Sequence, residues 1–464
     1  MILRISNKDV PLRNLLFVVG EGVLIYVAIL VAAFIRFGNA HDSFLSLDIL
    51  SKAMLIMVIC QLSIYFNDLY NLQVTDTYLE LGLRLTRAIG IASITLAITY
   101  YCIPSLLLGR GIFFISLVFL SILIVSWRYL YNWILKKKMF TEKILILGLG
   151  ELSQKILNAL NANRDSGYLV AGVISTNSTS ATALMKDIPI FELRDDLCEF
   201  AESQHIKKII VAMDERRGNL PVQHLLHCKM QGLAVLEGES FYEQLTGRIL
   251  AENINPSWFI FSEGFRKSKL RKLTKRVTGL LFSSIGLLLS LPLTVIIAIA
   301  IKLDSKGPII YTQKRCGADG RIFEFCKFRS MIHNAEEACG PTWAQTDDCR
   351  ITRVGRVIRK FRIDEIPQMW NVLKGDMSFV GPRPERPEFV MELEAIVPYY
   401  SERHTVKPGI TGWAQVSYGY GASVEDALEK LKYDLFYIKN ISLFMDLTII
   451  FKTVKIVIQQ SGAR

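Results

Sequence analysis

The sequence has no C-x-x-C pair, no Cys/His spacing of the zinc type, and only six histidines. Its eight cysteines, at 60, 102, 198, 228, 316, 326, 339 and 349, are scattered and read as reduced thiols in the membrane or facing the cytoplasm. His224 and His227 share a predicted helix with no third ligand nearby, which favours a structural or surface role over metal binding. An intact G-x-G-x-x-G is missing too, because Ser153 stands where the third glycine after Gly148-Leu149-Gly150 would be. The first apolar run has no small-x-small cleavage site and is interrupted by Glu21, so it reads as a span and not as a signal peptide. Acidic residues are the minority, 43 against 54 Lys and Arg, for a net charge of +11. No nucleic-acid recognition motif accompanies that excess, and the cations cluster beside apolar runs. The charge therefore points to anionic headgroups or a phosphorylated substrate, with no nucleic acid as partner.

What is present is apolar. Of 464 residues 51% are hydrophobic, high for a soluble protein, and the length asks for more than one domain. Four apolar segments fill the first third: Leu15 to Phe34, Ile49 to Phe66, Ala88 to Ile103 and Ile112 to Leu135. Each approaches the ~20 residues that span a bilayer. Arg4, Lys8 and Arg13 precede the first, Arg84 and Arg87 the third, and Lys136-Lys137-Lys138 follow the fourth, whereas Arg36, Lys52 and Arg110 are sparser at the opposite ends. The positive-inside rule then predicts a four-helix transmembrane bundle over 1–138 with both ends in the cytoplasm. Glu21 reads as a functional group or a helix-interface carboxylate.

From 139 to 250 strands alternate with helical runs. Lys143 to Leu147, Tyr168 to Ser175 and Lys208 to Met213 read as strands, and Gln154 to Ala162 as an amphipathic helix. This predicts a Rossmann-like cytoplasmic module with a small parallel sheet. Besides the missing glycine, the second strand ends in Ser175-Thr176-Asn177, where an acidic residue would meet a ribose. A structural or oligomerising role is the better reading, with no bound cofactor.

A polar linker containing Asn253-Ile254-Asn255-Pro256-Ser257-Trp258 leads to residues 251–464, read as a mainly α catalytic domain. Arg266, Lys267, Lys269, Arg271, Lys272, Lys275 and Arg276 introduce an apolar run from Val277 to Ile301, with Lys302 and Lys306 after it. Cations on both flanks argue against a straight crossing. Ser290 and Pro292 break the middle, since Pro292 removes a helical hydrogen bond and Ser290 can satisfy a freed group. The expectation is a re-entrant helix at about 277–301. Phe323 to Met331 alternates aromatic and basic residues, as a strand or a membrane-surface helix does, and Asp426 to Asn440 and Leu443 to Ile458 have helical spacing that suits either the interface plane or a core.

Arg359 to Glu385 carries the chemistry. Asp364-Glu365 is flanked by Arg359, Lys360 and Arg362, and Arg383 follows between Pro382 and Pro384. Arginines bind phosphate through forked, charge-assisted hydrogen bonds. One carboxylate can hold Mg²⁺ against a substrate's phosphates and the other can attack phosphorus. Pro367 suits a helix's first turn and would fix the pair at a helix entrance. The residues point to phosphoryl chemistry on an anionic substrate.

Taken in order, Lys302-Leu303-Asp304-Ser305-Lys306-Gly307-Pro308, Lys327-Phe328-Arg329-Ser330-Met331, Asp364-Glu365-Ile366-Pro367-Gln368, Gly381-Pro382-Arg383-Pro384, Lys407 to Val416 and Asp434 to Asn440 resemble the bacterial polyprenyl-phosphate hexose-1-phosphate transferases. The four spans and the Rossmann-like module resemble the long form of that family, and Tyr418-Gly419-Tyr420-Gly421 its exopolysaccharide branch. The Ser-Leu-Pro spacing departs from relatives in which Ser directly precedes Pro. The resemblance implies a multi-pass protein of the bacterial inner membrane with its catalytic domain on the cytoplasmic face. It implies transfer of a sugar-1-phosphate from a UDP-sugar to undecaprenyl phosphate, releasing UMP and initiating repeat-unit synthesis. Asp364 would be the nucleophile, Glu365 the Mg²⁺ ligand, Arg383 the phosphate grip and Arg359 its support, with Lys327 and Arg329 lining the site. Membrane lipid is a further implied partner, and a homodimer a possible state. The alternatives are a membrane-tethered NAD-dependent nucleotide-sugar dehydratase or epimerase, and a non-catalytic scaffold. The first wants an intact glycine motif and a Tyr-x-x-x-Lys pair, which Tyr433-Asp434-Leu435-Phe436-Tyr437 does not supply; the second would tolerate loss of the dyad.

Overall fold

Long apolar runs with few breakers become helices. In the computed structural model the described residues are 2–5, 8–37, 47–70, 78–136, 141–163, 166–175, 188–192, 197–213, 220–250, 264–265, 268–332, 350–419, 421 and 423–459. The Asn253 to Trp258 linker, Thr176, Asn177, Arg266, Lys267, Cys339, Cys349 and Tyr420 lie outside them. The chain separates into two compact units, Met1–Leu245 and Thr246–Arg464.

The first unit opens with a short antiparallel pair, β1 (Ile2–Ile5) and β2 (Lys8–Pro11). Four long helices follow: α1 (Leu12–Phe37), α2 (Leu47–Phe66), α3 (Tyr78–Cys102) and α4 (Arg110–Lys136). All four are long and apolar enough to cross a membrane. The third begins ahead of the predicted Ala88, because Leu81 and Leu85 continue its helical spacing; Arg84 and Arg87 thus lie inside the helix. Small residues make the inner faces. Ala28, Ala32, Ala33, Ala53 and Ala88 are fully buried, which lets helices approach closely where lipid supplies no hydrophobic drive. Val19, Val23, Ile94, Ile98, Val118 and Ile122 stay exposed, the apolar exterior a bilayer would cover. Glu21 is an interface carboxylate: Arg128 donates to it at 2.9 Å and to Leu69 O at 2.8 Å, tying α1 to α4 and to the end of α2.

The α/β module of this unit contains β3 (Glu142–Leu147), α5 (Glu151–Ala162), β4 (Tyr168–Ser175), β5 (Ile190–Glu192), α6 (Leu197–Ser203), β6 (Lys208–Val211), α7 (Val222–Met230), β7 (Ala234–Glu237) and α8 (Gly238–Thr246). Its five strands are all parallel in the order β5-β4-β3-β6-β7. Ile144 to Leu147 are completely buried, as a central parallel strand requires. The turn after β3 needs Gly148: φ is +115° and a Cβ would lie 2.7 Å from Ala212 O. The Ser153 hydroxyl bridges Gly148 O at 2.7 Å and Ala212 O at 3.0 Å, so it ties the ends of β3 and β6 together where the glycine motif would leave space.

The second unit begins with α9 (Lys269–Asp304), a 36-residue helix with Pro292 inside it. An antiparallel hairpin, β8 (Ile310–Cys316) and β9 (Ile322–Phe328), follows, so the aromatic-basic stretch forms a strand. Then come α10 (Arg353–Lys360), α11 (Gln368–Lys374), β10 (Ser378–Val380), α12 (Pro387–Ile396), β11 (Gly409–Thr411), α13 (Trp413–Ser417), α14 (Val424–Lys439) and α15 (Leu443–Gln459). β10 and β11 pair in parallel. Of the two readings open for Asp426 to Asn440, the core one holds. Leu431, Leu435, Phe436 and Tyr437 of α14 are buried against Trp413, Val390 and Tyr400. α15 is two-sided: Met445 and Ile449 face that core, while Phe444, Phe451 and Ile458 are exposed.

Candidate active site

α10 is capped by Thr352, whose hydroxyl accepts from Gly355 N at 2.9 Å, and it ends at Lys360, two residues before Arg362. Arg362 adopts the left-handed conformation, φ +55°, and throws the next residues into a single 3₁₀ turn, Ile363–Glu365. The dyad sits on that turn. Pro367 stands immediately before α11, where its missing N–H costs nothing. Ile363 and Ile366 pack on Ile297, Ile301, Phe328 and Ile358, so an apolar floor lies beneath the two carboxylates.

A second element reaches the dyad through Asn371. Its side-chain amide donates to Glu324 O at 2.7 Å, and its carbonyl accepts from Cys326 N at 3.1 Å. These bonds lay β9 along α11 and bring Lys327 into the field of Asp364 and Glu365. The third element is the loop after β10. Arg383 donates to Glu365 Oε1 at 2.9 Å, with Arg362 at 3.8 Å from the same oxygen. Four consecutive carbonyls of that loop are occupied. Pro382 O accepts from Gly409 N at 2.9 Å, Arg383 O from Arg403 at 3.0 Å, Pro384 O from Arg315 at 3.1 Å, and Glu385 O from Cys316 N at 2.9 Å.

The two carboxyls are driven apart. Burial lifts Asp364 above the usual carboxylate range, and neighbouring Glu365 adds to the rise against the pull of Lys327, Arg359 and Arg383. Burial would lift Glu365 as well, but Arg383, Lys327 and Arg362 overturn it and hold that carboxyl down at about 2. One group is thus firmly ionised while its neighbour is more basic, the division of labour expected of two acids sharing a site. Burial brings Lys327 down to about 8, helped by the positive charge of Arg383 and opposed by both carboxylates.

The structure therefore puts Arg383 in contact with Glu365, beside Asp364, with Lys327 and Arg359 close enough to act on Asp364 through their charge. Arg329 turns elsewhere. It lies one residue past the end of β9, is buried, and donates from Nη2 to Ile301 O, Ser305 O and the Ser305 hydroxyl at the C-terminal end of α9. Its expected place lining the site is thus taken by a helix-capping role. Ser290 donates to Leu287 O at 3.2 Å, one residue short of the Leu288 carbonyl that Pro292 leaves without its helical donor. Asn371 and Arg403 were not singled out from the sequence, and Arg315 and Asp434 were given no site role there; their principal partners are distant along the chain.

Comparison with known proteins follows the same lines. The family model described as bacterial sugar transferase matches residues 270–460, and one described as a CoA-binding domain matches 65–220. The UDP-N-acetylgalactosamine-undecaprenyl-phosphate N-acetylgalactosaminephosphotransferase of Aeromonas hydrophila is 42% identical over 240 residues, 52% of this chain and 56% of that protein. The undecaprenyl-phosphate glucose phosphotransferase of Komagataeibacter xylinus is 31% identical over 321 residues, 68% of this chain and 58% of that protein. This chain therefore spans little more than half the length of either. The UDP-glucose:undecaprenyl-phosphate glucose-1-phosphate transferase of Xanthomonas campestris pv. campestris is 30% identical over 336 residues, 69% of this chain and 68% of that protein. With a match of that extent, and with apolar helices ahead of the domain that holds the dyad, the chain belongs to the bacterial sugar transferase family of membrane proteins.

Proposed function

We propose that this protein transfers a sugar-1-phosphate from a UDP-sugar to undecaprenyl phosphate and releases UMP. The observation that carries the reading is the acid pair itself: Asp364 and Glu365 stand side by side on one 3₁₀ turn, Arg383 donates to Glu365 at 2.9 Å, and Lys327 and Arg359 act on Asp364 through their charge. An Asp364 oxygen forms a bond to the sugar-linked phosphorus as the P–O–P bridge breaks and UMP leaves. An oxygen of the lipid phosphate then attacks the same phosphorus, which frees the Asp364 carboxylate and leaves a lipid-linked diphosphate sugar. Arg383, Arg359 and Lys327 neutralise the phosphates, positioning and charge stabilisation being what phosphoryl transfer asks of a protein.

Mg²⁺ suits this donor set. Among the described residues no cluster of three or more His, Cys, Asp or Glu could hold a metal alone. Mg²⁺ is commonly held by one or two carboxylates plus substrate phosphates, and Glu365 is ionised enough to serve. Bound there, it would offset charge on the donor diphosphate.

The reading includes a re-entrant α9, with the catalytic unit on the cytoplasmic face of the inner membrane. In support, both ends of α9 are fastened to the same unit. Near its start Lys275 pairs with Asp446 at 3.1 Å and Arg276 donates to Leu373 O at 2.8 Å. At its end Asp304 accepts from Val354 N at 3.0 Å, and Ile297 and Ile301 are buried. Between them Leu288, Leu289, Leu291, Val295 and Ile296 are exposed. Anchored ends and a bare apolar middle are what a hairpin dipping into one leaflet requires.

UMP release by detergent-purified protein, over a panel of UDP-sugars with Mg²⁺ and with or without undecaprenyl phosphate, tests the function and names the sugar. Asp364→Asn should abolish release while the protein stays folded, and mass spectrometry of the wild type should find the phosphosugar on Asp364. Retained turnover in that variant sinks the nucleophile assignment.

A further inference from the structure

Arg403 lies on the 3₁₀ turn Tyr400–Thr405, and its side chain is buried. Its Nη2 serves two acceptors at once, Asp434 Oδ2 at 2.9 Å and Arg383 O at 3.0 Å, while Nη1 donates to the Tyr400 hydroxyl. Asp434 belongs to α14 and is 1% exposed. Burying such a pair is expensive, and apolar residues of similar volume commonly serve a core as well or better. Core stability alone therefore gives no reason for it. Its placement does: the guanidinium is held by Asp434 and aimed at the backbone of Arg383, which donates to Glu365. A line of contacts thus runs from α14 through Arg403 to Arg383, and from Arg383 to Glu365 Oε1 at 2.9 Å.

We propose that Arg403, oriented by Asp434, is a positioning residue that sets where Arg383 stands against the donor phosphate. It touches neither substrate nor the reacting atoms. The proposal rests on the phosphotransferase reading above. Lysine at 403 keeps the charge but loses the fork that serves Asp434, Tyr400 and Arg383 together.

The test is a cycle on the full-length enzyme. Arg403→Lys and Asp434→Asn are each made in the wild type and in an Arg383→Ala background. UMP release is measured with enzyme in excess, so that slow turnover is still read, beside the thermal unfolding midpoint. Each substitution should lower kcat/KM about ten- to a hundredfold in the wild type, the worth of a charge-assisted hydrogen bond. In the Arg383→Ala background the loss should shrink to less than about threefold, since residues acting as a unit are not additive. An equal loss in both backgrounds would make the pair merely structural, and full activity in folded Arg403→Lys would refute it outright. Should Arg403→Lys fail to fold, Tyr400→Phe removes one hydroxyl from the same guanidinium. Its smaller loss must likewise vanish without Arg383, and a loss that persists overturns the proposal. If the wild type released no UMP, or Asp364→Asn still did, the parent reading would fall and this one with it; a sound parent with an additive cycle defeats this one alone.

Discussion

Raising the pH across 8 should slow the proposed transfer while making the fold more stable. The agent is Lys327, whose proton is loosened to about 8 by burial and by Arg383. Such an amine is about nine-tenths charged at pH 7 and about one-tenth charged at pH 9. If its charge serves the donor phosphates, kcat/KM falls nearly tenfold for each pH unit above the midpoint. Stability moves the other way. The folded chain gives up this proton more readily than the unfolded chain, so between about pH 8 and 10 the unfolded state binds more protons and stability rises with pH. Measured against Lys327→Met, the gain is at most about 3 kcal/mol, and less because the side chain is only half-buried. UMP release and thermal unfolding, both followed from pH 7 to 9.5, give the two curves. Lys327→Arg completes the experiment, since a guanidinium stays charged throughout and should erase the alkaline limb. A limb that persists unchanged in Lys327→Arg would assign the titration to another group and refute the reasoning.

Other substitutions address the scaffold. Asn371→Ala removes both bonds between α11 and β9 and should cost ~2–4 kcal/mol, read as a lowered unfolding midpoint with a weakened donor response. Gly148→Ala places a Cβ 2.7 Å from Ala212 O at φ +115° and should destabilise the α/β module by ~2 kcal/mol or more; unchanged protection of the β3 amides in hydrogen exchange would contradict this. Glu21→Leu strands a buried Arg128 and should cost ~3–5 kcal/mol, most of it restored by adding Arg128→Leu; a single variant as stable as the double would show the pair idle. Cysteines placed at Lys272 and Lys306 in a cysteine-free background should both react with an impermeant reagent from the same membrane face, whereas labelling from opposite faces would make α9 a crossing helix.

The apolar helices, the first strands of the sheet and the dyad with Arg383 could be read from the chain because each is written in consecutive residues. Apolar period, strand length and adjacent carboxylates survive without knowledge of contacts. α14 was ambiguous for a definite reason: Lys432 and Asp434 are both buried, each paired with an opposite charge. Charges that normally mark a solvated face there mark the inside. Arg329 misled in another way. Two residues from Lys327, it would share its strand face if β9 continued, but β9 ends at Phe328 and the side chain turns to the end of α9. The roles of Arg315 and Arg403 were not legible because each reaches, besides side chains, a backbone carbonyl of the Arg383 loop, and a carbonyl carries no signature in side-chain sequence.

The loop that presents Arg383 has its four successive carbonyls already engaged before any donor arrives. Such a loop has little conformational entropy left to surrender. Donor association should then carry a small ordering penalty at this point, and its affinity should answer mainly to charge and ionic strength. For inhibitor design the consequence is rigidity: a phosphate mimic must match the guanidinium where it stands, and ligands that need the loop to yield should bind weakly however many contacts they offer.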